Sequence, residues 1–234
     1  SIYLKEEREK VYDMFEKYLA FLNEKNYYDS NIVSHKYLEK VEGTYDFIVV
    51  DEVQDLTNIQ LMLILKSLKK ASNFLLSGDS NQIVHPNFFS WSKLKSMFYT
   101  SKMHNSFIRI LKTNYRNSIQ ITKVSNDLLK IKNARFGSID KESTYLIDTV
   151  SSVSGQINFF HENEKIKKEL NTKTQSSTKF AVLVMNNEQK EAVKRYFKTP
   201  LVFSIQEAKG LEYDNIILLN FISDNEKIFR EITY

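Results

Sequence analysis

Two carboxylates in succession, Asp51 and Glu52, stand directly after the apolar run Phe47-Ile48-Val49-Val50. If that run is a strand, the pair lies at the carboxyl edge of a sheet, where open α/β folds bind ligands. An aspartate there can hold the magnesium of a nucleoside triphosphate, and a glutamate beside it can orient and deprotonate an attacking water. The other reading is an acidic turn capping the next helix; Gln54 and Asp55 weigh against it, because few turns need four polar groups. Gly78-Asp79-Ser80-Asn81-Gln82 closes a second apolar run, and Gln82 could reach a terminal phosphate or its water. The alternative there is a tight turn with glycine at positive φ. His85, Phe88, Phe89 and Trp91 form an aromatic cluster that could fill a core or stack unpaired bases, each such contact being worth ~1–3 kcal/mol. Thr113-Asn114-Tyr115-Arg116-Asn117-Ser118 carries an arginine suited to bidentate phosphate contact, which would act as an arginine finger if supplied from a second domain. A solvated or helix-capping charge is the alternative. Ser204-Ile205-Gln206-Glu207-Ala208-Lys209-Gly210-Leu211-Glu212-Tyr213 sets a glycine beside a lysine, with a glutamate two residues on, and by itself reads as a turn between strands.

The elements that must position these residues are legible in the apolar periodicity. Val11, Met14, Phe15, Tyr18, Leu19 and Leu22 recur every three or four residues and predict an amphipathic packing helix over 3–22. The β-branched run at 47–50 reads as a buried strand of a parallel sheet. A helix over 59–70 and a strand over 73–77 complete a strand–helix–strand layer. The polar stretch 101–106 reads as a linker. Beyond it the pattern predicts strands at 107–111, 156–160, 180–185, 201–203 and 215–219, with helices at 118–132 and 188–197. The fold class is therefore α/β, in two parts.

The chain has 234 residues, no cysteine, and 42% hydrophobic residues, a composition that excludes disordered, collagenous and disulfide-stapled classes. No run approaches the roughly 18 apolar residues of a membrane helix, and no secretory leader pattern opens it. The absence of cysteine fits a reducing compartment, so a cytoplasmic location is the expectation. Residues 1–100 carry a charge of −2 and the remainder +6, which allows the second half to meet phosphates, although lysine-rich stretches more often form a solvated helix face.

Taken together and in order, DEVQD, GDSNQ, TNYRNS and SIQEAKGLEYD resemble motifs II to V of superfamily 1 DNA helicases of the UvrD/Rep kind. The resemblance runs over about 45–219. It implies a RecA-like P-loop NTPase fold, with the C-terminal part of a first motor domain at 1–103 and most of a second RecA-like domain at 104–234. The implied cofactors are ATP and Mg2+. By this resemblance Asp51 binds the metal, Glu52 activates the water, Gln82 senses the terminal phosphate and Arg116 touches it. Tyr115 stacks on the adenine and Glu212 holds the ribose, with Lys209 and Gly210 in the same nucleotide-binding stretch. Nucleic-acid contacts would come from His85, Phe88, Phe89, Trp91, Ser204 and Gln206. ATP binding would close a cleft between the two domains, and the motor would step along single-stranded or partly duplex DNA.

The chain departs from this pattern in three ways. No G-x-x-x-x-G-K-[ST] loop is present and no arginine-bearing motif VI follows Gly210, so the chain reads as an internal portion of a longer helicase, inactive by itself. His85 stands in the place of a tyrosine, and Ser204 and Gln206 in those of threonine and histidine, which bears on nucleic-acid coupling. About 90 residues separate Arg116 from Gln206, too few for the family's large inserted subdomain. The rival expectations are an ATPase switch acting on a protein partner and a non-enzymatic nucleic-acid-binding remnant. No membrane partner is expected.

Overall fold

The computed structural model describes residues 4–84, 89–100, 108–138, 141–227 and 230. The chain divides into two compact units. The first runs to Ser80 and takes in Phe89 and the helix from Lys93, and the second holds Asn81, Ser90–Ser92 and the chain from Ile108 onward.

In the first unit, helix α1 (Lys5–Lys25) opens with the Leu4 N–H donating to Glu7 Oε2 at 2.8 Å and ends at Asn26, whose φ of 54° terminates the helix in a left-handed residue. The amphipathic stripe predicted for it is covered only at its C-terminal end: Leu22 is buried and Leu19 half-buried, whereas Val11, Met14, Phe15 and Tyr18 are exposed. Helix α2 (Ser30–Tyr37) is capped by Asp29, which accepts from the Asn31 and Ile32 N–H groups. Strand β1 (Ile48–Val50) leads through the acidic turn to α3 (Asn58–Lys66), where Thr57 and Gln60 form a capping box. Strand β2 (Phe74–Leu76) then pairs parallel with β1 in the register Ile48↔Phe74 to Val50↔Leu76. The predicted strand–helix–strand layer is thus present. One feature differs, because Val50 is buried while Val49 and Leu75 are 62% and 56% exposed, so only one face of this sheet is covered among the described residues. Helix α4 (Trp91–Thr100) follows. The predicted linker at 101–106 lies outside the described residues.

In the second unit, β3 (Thr113–Asn114) pairs parallel with β4 (Asp148–Thr149), and α5 (Ile119–Phe136) lies between them in sequence. Helix α6 (Glu164–Thr174) precedes a three-stranded parallel sheet of order β6-β5-β7, built from β5 (Phe180–Val184), β6 (Val202–Ser204) and β7 (Asn215–Leu218). Helix α7 (Asn187–Val193) joins β5 to β6, and the short α8 (Ile205–Ala208) starts the connection to β7. The core here is Val182, Val184, Val193, Phe197 and Val202, with Leu170, Ile217 and Leu219 packed on it. Two predicted strands are corrected. Residues 108–111 make no ladder, pairing starting only at Thr113, and residues 156–160 are irregular, with Phe159 89% exposed. Both runs have strand composition, but β propensity is expressed only where a neighbouring strand offers its edge.

Candidate functional site

The acidic pair stands where β1 ends. Glu52 adopts a left-handed backbone with φ 52°, a conformation uncommon for a side chain with a Cβ and the kind of local strain that concentrates at functional sites. The turn is fastened to the end of β2: Ser77 N–H donates to Val50 O at 2.8 Å and Val53 N–H to Ser77 O at 2.9 Å. Asp51 Oδ1 accepts from the Ser77 hydroxyl and from the Glu52 N–H. The Ser77 hydroxyl first, and the Glu52 N–H second, hold the Asp51 carboxyl below the usual carboxylate range, so it is ionised at neutral pH.

Gln54, which the sequence reading counted only among the polar groups of the turn, proves to hold the turn together. Its side chain is fully buried, Nε2 donates to Glu52 Oε2, and Oε1 accepts the Asp79 N–H at 2.9 Å. One buried amide therefore fixes the Glu52 carboxylate on one side and the Gly78-Asp79 turn on the other. Gly78 is required by this closeness, since a Cβ there would overlap Gln54 Oε1 and lie 2.9 Å from Val53 Cγ1. The one available signal was a glutamine inside an otherwise acidic turn.

Gln82 ends a short 3-10 turn, Ser80–Gln82, and is exposed. Its neighbour Asn81 donates from Nδ2 to Ser143 O at 3.2 Å and accepts from Lys132 Nζ at 2.6 Å. Of the aromatic cluster, His85 and Phe88 lie outside the described residues and Trp91, at the start of α4, is half-buried. Phe89 is 7% exposed, so its ring packs inside the protein and is withdrawn from base stacking.

In the second unit Asn114 Oδ1 accepts the N–H groups of Arg116 and Asn117, both at 2.8 Å, an Asx turn that leads into the Ser118 cap of α5. Tyr115 at the top of this turn is 77% exposed. The Arg116 guanidinium pairs with the Glu212 carboxylate, which brings together two side chains 96 positions apart in the chain. Both remain solvent-exposed, and an exposed pair of this kind is worth ~0–1 kcal/mol, weak enough for an incoming ligand to part it.

The connection from β6 to β7 starts with Ser204, which is fully buried, its N–H and hydroxyl both directed at Glu207 Oε2. A nucleic-acid role for Ser204 is thereby corrected: the side chain caps α8 and has no surface. Gln206 on the same helix is exposed. Glu207 also receives Lys190 Nζ on both oxygens at 2.7 Å, and this lysine first, then the Ser204 N–H, lowers its carboxyl pKa. Lys209 is half-buried, and Gly210 has φ 77° with open space where a Cβ would be, so conformation alone calls for glycine there.

No group of three or more metal-ligating side chains occurs among the described residues. That donor set still suits magnesium carried in by a nucleotide, because this ion keeps most of its waters and takes one or two carboxylates plus phosphate oxygens. Asp51, exposed at the end of β1, would supply the carboxylate.

Residues 3–88 match the UvrD/REP helicase N-terminal domain family. The chain is 25% identical to TPR and ankyrin repeat-containing protein 1 of Homo sapiens, over 95% of the chain and 8% of that protein. It is 28% identical to the RecBCD enzyme subunit RecB of Borreliella burgdorferi, over 88% of the chain and 16% of RecB. A probable DNA helicase II homolog of Mycoplasma capricolum is 31% identical over 42% of the chain and 13% of its own length. The chain thus spans only 8% to 16% of the length of these relatives.

Proposed function

From a chain that carries a UvrD/Rep-family helicase segment, we propose an ATP-dependent DNA helicase or translocase, of which these residues supply the carboxylate, sensor and arginine stations of the nucleotide cycle. Each unit has RecA-like parentage in this reading. The observation that carries it is the Asp51–Glu52 pair at the carboxyl end of β1, held in a strained turn by the buried Gln54 amide.

Asp51, whose carboxyl Ser77 holds below the usual range, would hold the divalent ion, and Glu52 would take the proton of the attacking water. A magnesium ion held there would supply neutralisation of the charge developing on the phosphate oxygens. Gln82 faces the terminal phosphate. Arg116 leaves Glu212 to meet the same phosphate, while the released Glu212 accepts from the ribose and Tyr115 lends its exposed ring to the adenine. Lys209 and Gly210 shape the loop that carries Glu212. Gln206 and Trp91, together with His85 and Phe88, are the side chains this reading offers to single-stranded DNA. In this reading a phosphate-cradling glycine loop with its lysine completes the site, and these residues hold no G-x-x-x-x-G-K-[ST] sequence.

A second reading, an ATPase switch for a protein partner, draws on the relative that aligns with 95% of the chain and is named for its TPR and ankyrin repeats. The test is ATP turnover by the product of the full reading frame, with and without single-stranded DNA. Turnover that rises steeply with DNA supports the motor, turnover indifferent to DNA supports the switch, and absence of turnover removes both.

A further inference from the structure

Glu212 follows α8, a helix of only four residues, and a helix of one turn is not stable by itself. After α8 the chain turns through Ala208–Leu211. The Leu211 N–H donates to Ala208 O at 3.0 Å, Lys209 has φ −57° and ψ 130°, and Gly210 has φ 77°, which together make a type II turn. The ring of Tyr213, next to Glu212, lies 6.0 Å from that of Phe203, next to Ser204, so the far end of the loop is tied back to β6. From Glu207 to Glu212 the backbone therefore has one fixed shape, and the seat of α8 decides where Glu212 stands. Two groups hold that seat. One is local, the capping box between Ser204 and Glu207. The other comes from a different helix: Lys190 on α7 donates to both Glu207 oxygens at 2.7 Å. Its side chain is only 17% exposed, so this charged hydrogen bond is sheltered from water and kept to one geometry. Helix α7 gives it a firm base, since its Asn186 cap accepts the Gln189 N–H at 3.0 Å, Gln189 Oε1 accepts the Met185 N–H at 3.0 Å, and Val193 lies in the core.

We propose that Lys190 is a positioning residue for nucleotide recognition: by clamping Glu207 it seats α8 and the type II turn, and so places Glu212 where its carboxylate accepts from a ribose hydroxyl. Lys190 itself touches no nucleotide, because its ammonium is engaged by Glu207. Helices α7 and α8, the Glu212 loop and Arg116 all belong to the second unit, so nothing in this arrangement spans the two units. Loss of the clamp weakens recognition of the ribose and leaves the phosphate chemistry alone, because Arg116 keeps its own Asx turn on Asn114. The inference rests on the motor reading given above, which assigns Glu212 to the ribose.

The experiment uses the product of the full reading frame and the variants Lys190→Met, which keeps the aliphatic stem and removes the charge, Lys190→Arg, Glu212→Ala and the Lys190→Met/Glu212→Ala double variant. In the presence of single-stranded DNA, KM and kcat are measured for ATP and for dideoxy-ATP, which lacks both ribose hydroxyls, beside thermal melting. A hydrogen bond to a carboxylate is worth on the order of 10-fold in binding, so the parent is expected to have a KM for ATP about 10-fold below that for dideoxy-ATP. Glu212→Ala removes this preference. Lys190→Met is expected to reduce it to about 2-fold with kcat unchanged, because a misplaced acceptor forfeits most of the bond. Lys190→Arg keeps the preference, and the double variant shows no less of it than Glu212→Ala alone. A partly unfolded variant lowers the rate with both nucleotides alike and leaves the KM ratio in place, so a fall in the ratio reads position rather than stability. A full preference in Lys190→Met beside a lost one in Glu212→Ala overturns the clamp while the motor reading stands. An equal preference in the parent and Glu212→Ala overturns the ribose role and the clamp with it, and a parent without ATP turnover overturns the motor reading as well.

Discussion

Replacing Gly78 by alanine tests the buried strap that shapes the acidic turn. The added methyl overlaps Gln54 Oε1 and comes 2.9 Å from Val53 Cγ1, and both of those side chains are fully buried with no room to swing away. Inserting a methyl into a packed core costs about 1–3 kcal/mol. If Gln54 yields instead, it gives up the Asp79 N–H, and a lost hydrogen bond of this type adds about 1 kcal/mol. The expected destabilisation is therefore about 2–4 kcal/mol, and for a chain of this size each kcal/mol lowers the melting temperature by about 2–4 °C. Circular-dichroism melts of Gly78→Ala give the total, and amide exchange at Val53 and Asp79 shows that the loss is local to the turn. In a Gln54→Ala background the overlap disappears, so the same glycine substitution there should cost less than ~1 kcal/mol. A Gly78→Ala protein within about 0.5 kcal/mol of the parent, or an equal cost in both backgrounds, refutes the strap.

Three further outcomes follow from the site. Glu52→Gln in the full-length protein should leave ATP binding in place and lower kcat by about 10²–10⁴-fold, read by nucleotide titration beside steady-state turnover; unchanged turnover removes the general-base role. Arg116→Ala should slow hydrolysis on the order of 10³-fold, as loss of an arginine finger does, and a loss of only a few-fold would leave Arg116 as a turn-capping charge. Ser77→Ala should raise the Asp51 pKa back toward the ordinary carboxylate range, measured by carboxyl-carbon NMR titration. The sign follows from the depressed folded-state value: the stabilisation that Asp51 gives is present above the unfolded pKa of ~3.9 and is lost as pH falls through the lower folded value, so the variant should lose less stability than the parent on acidification. An Asp51 titration unmoved by the substitution would assign the depression to another group.

The comparison of sequence with structure divides along the range of the interactions involved. Local signals were sufficient for the acids following β1, which stand where the apolar run places them, whereas the Ser118 cap of α5 and the Thr57–Gln60 box of α3 are local interactions that the sequence reading did not assign. Apolar, β-branched composition was sufficient for a parallel layer of 48–50 with 74–76 and for strands near 180–185, 201–203 and 215–219, while their order β6-β5-β7 came from the tertiary structure. The same composition misled at 108–111 and 156–160, since a strand needs a neighbour and no short-range pattern reports one.

What the sequence by itself determined is the chemistry on offer: an acidic pair ending a strand, a glutamine ending the next, an arginine before a helix and a glutamate beyond a glycine, in an order that resembles one helicase family. Tertiary structure alone decided which of these residues are presented and what holds them. It turned Phe89 and Ser204 inward, joined Arg116 to Glu212, laid the buried Gln54 amide between Glu52 and Asp79, and hung Asn81 on Lys132. Each of those outcomes except the Ser204 cap depends on partners tens of residues away or on burial set by the whole unit. A buried polar group finds its hydrogen-bond partner through the packing of distant segments, and residue spacing along the chain carries no record of that packing.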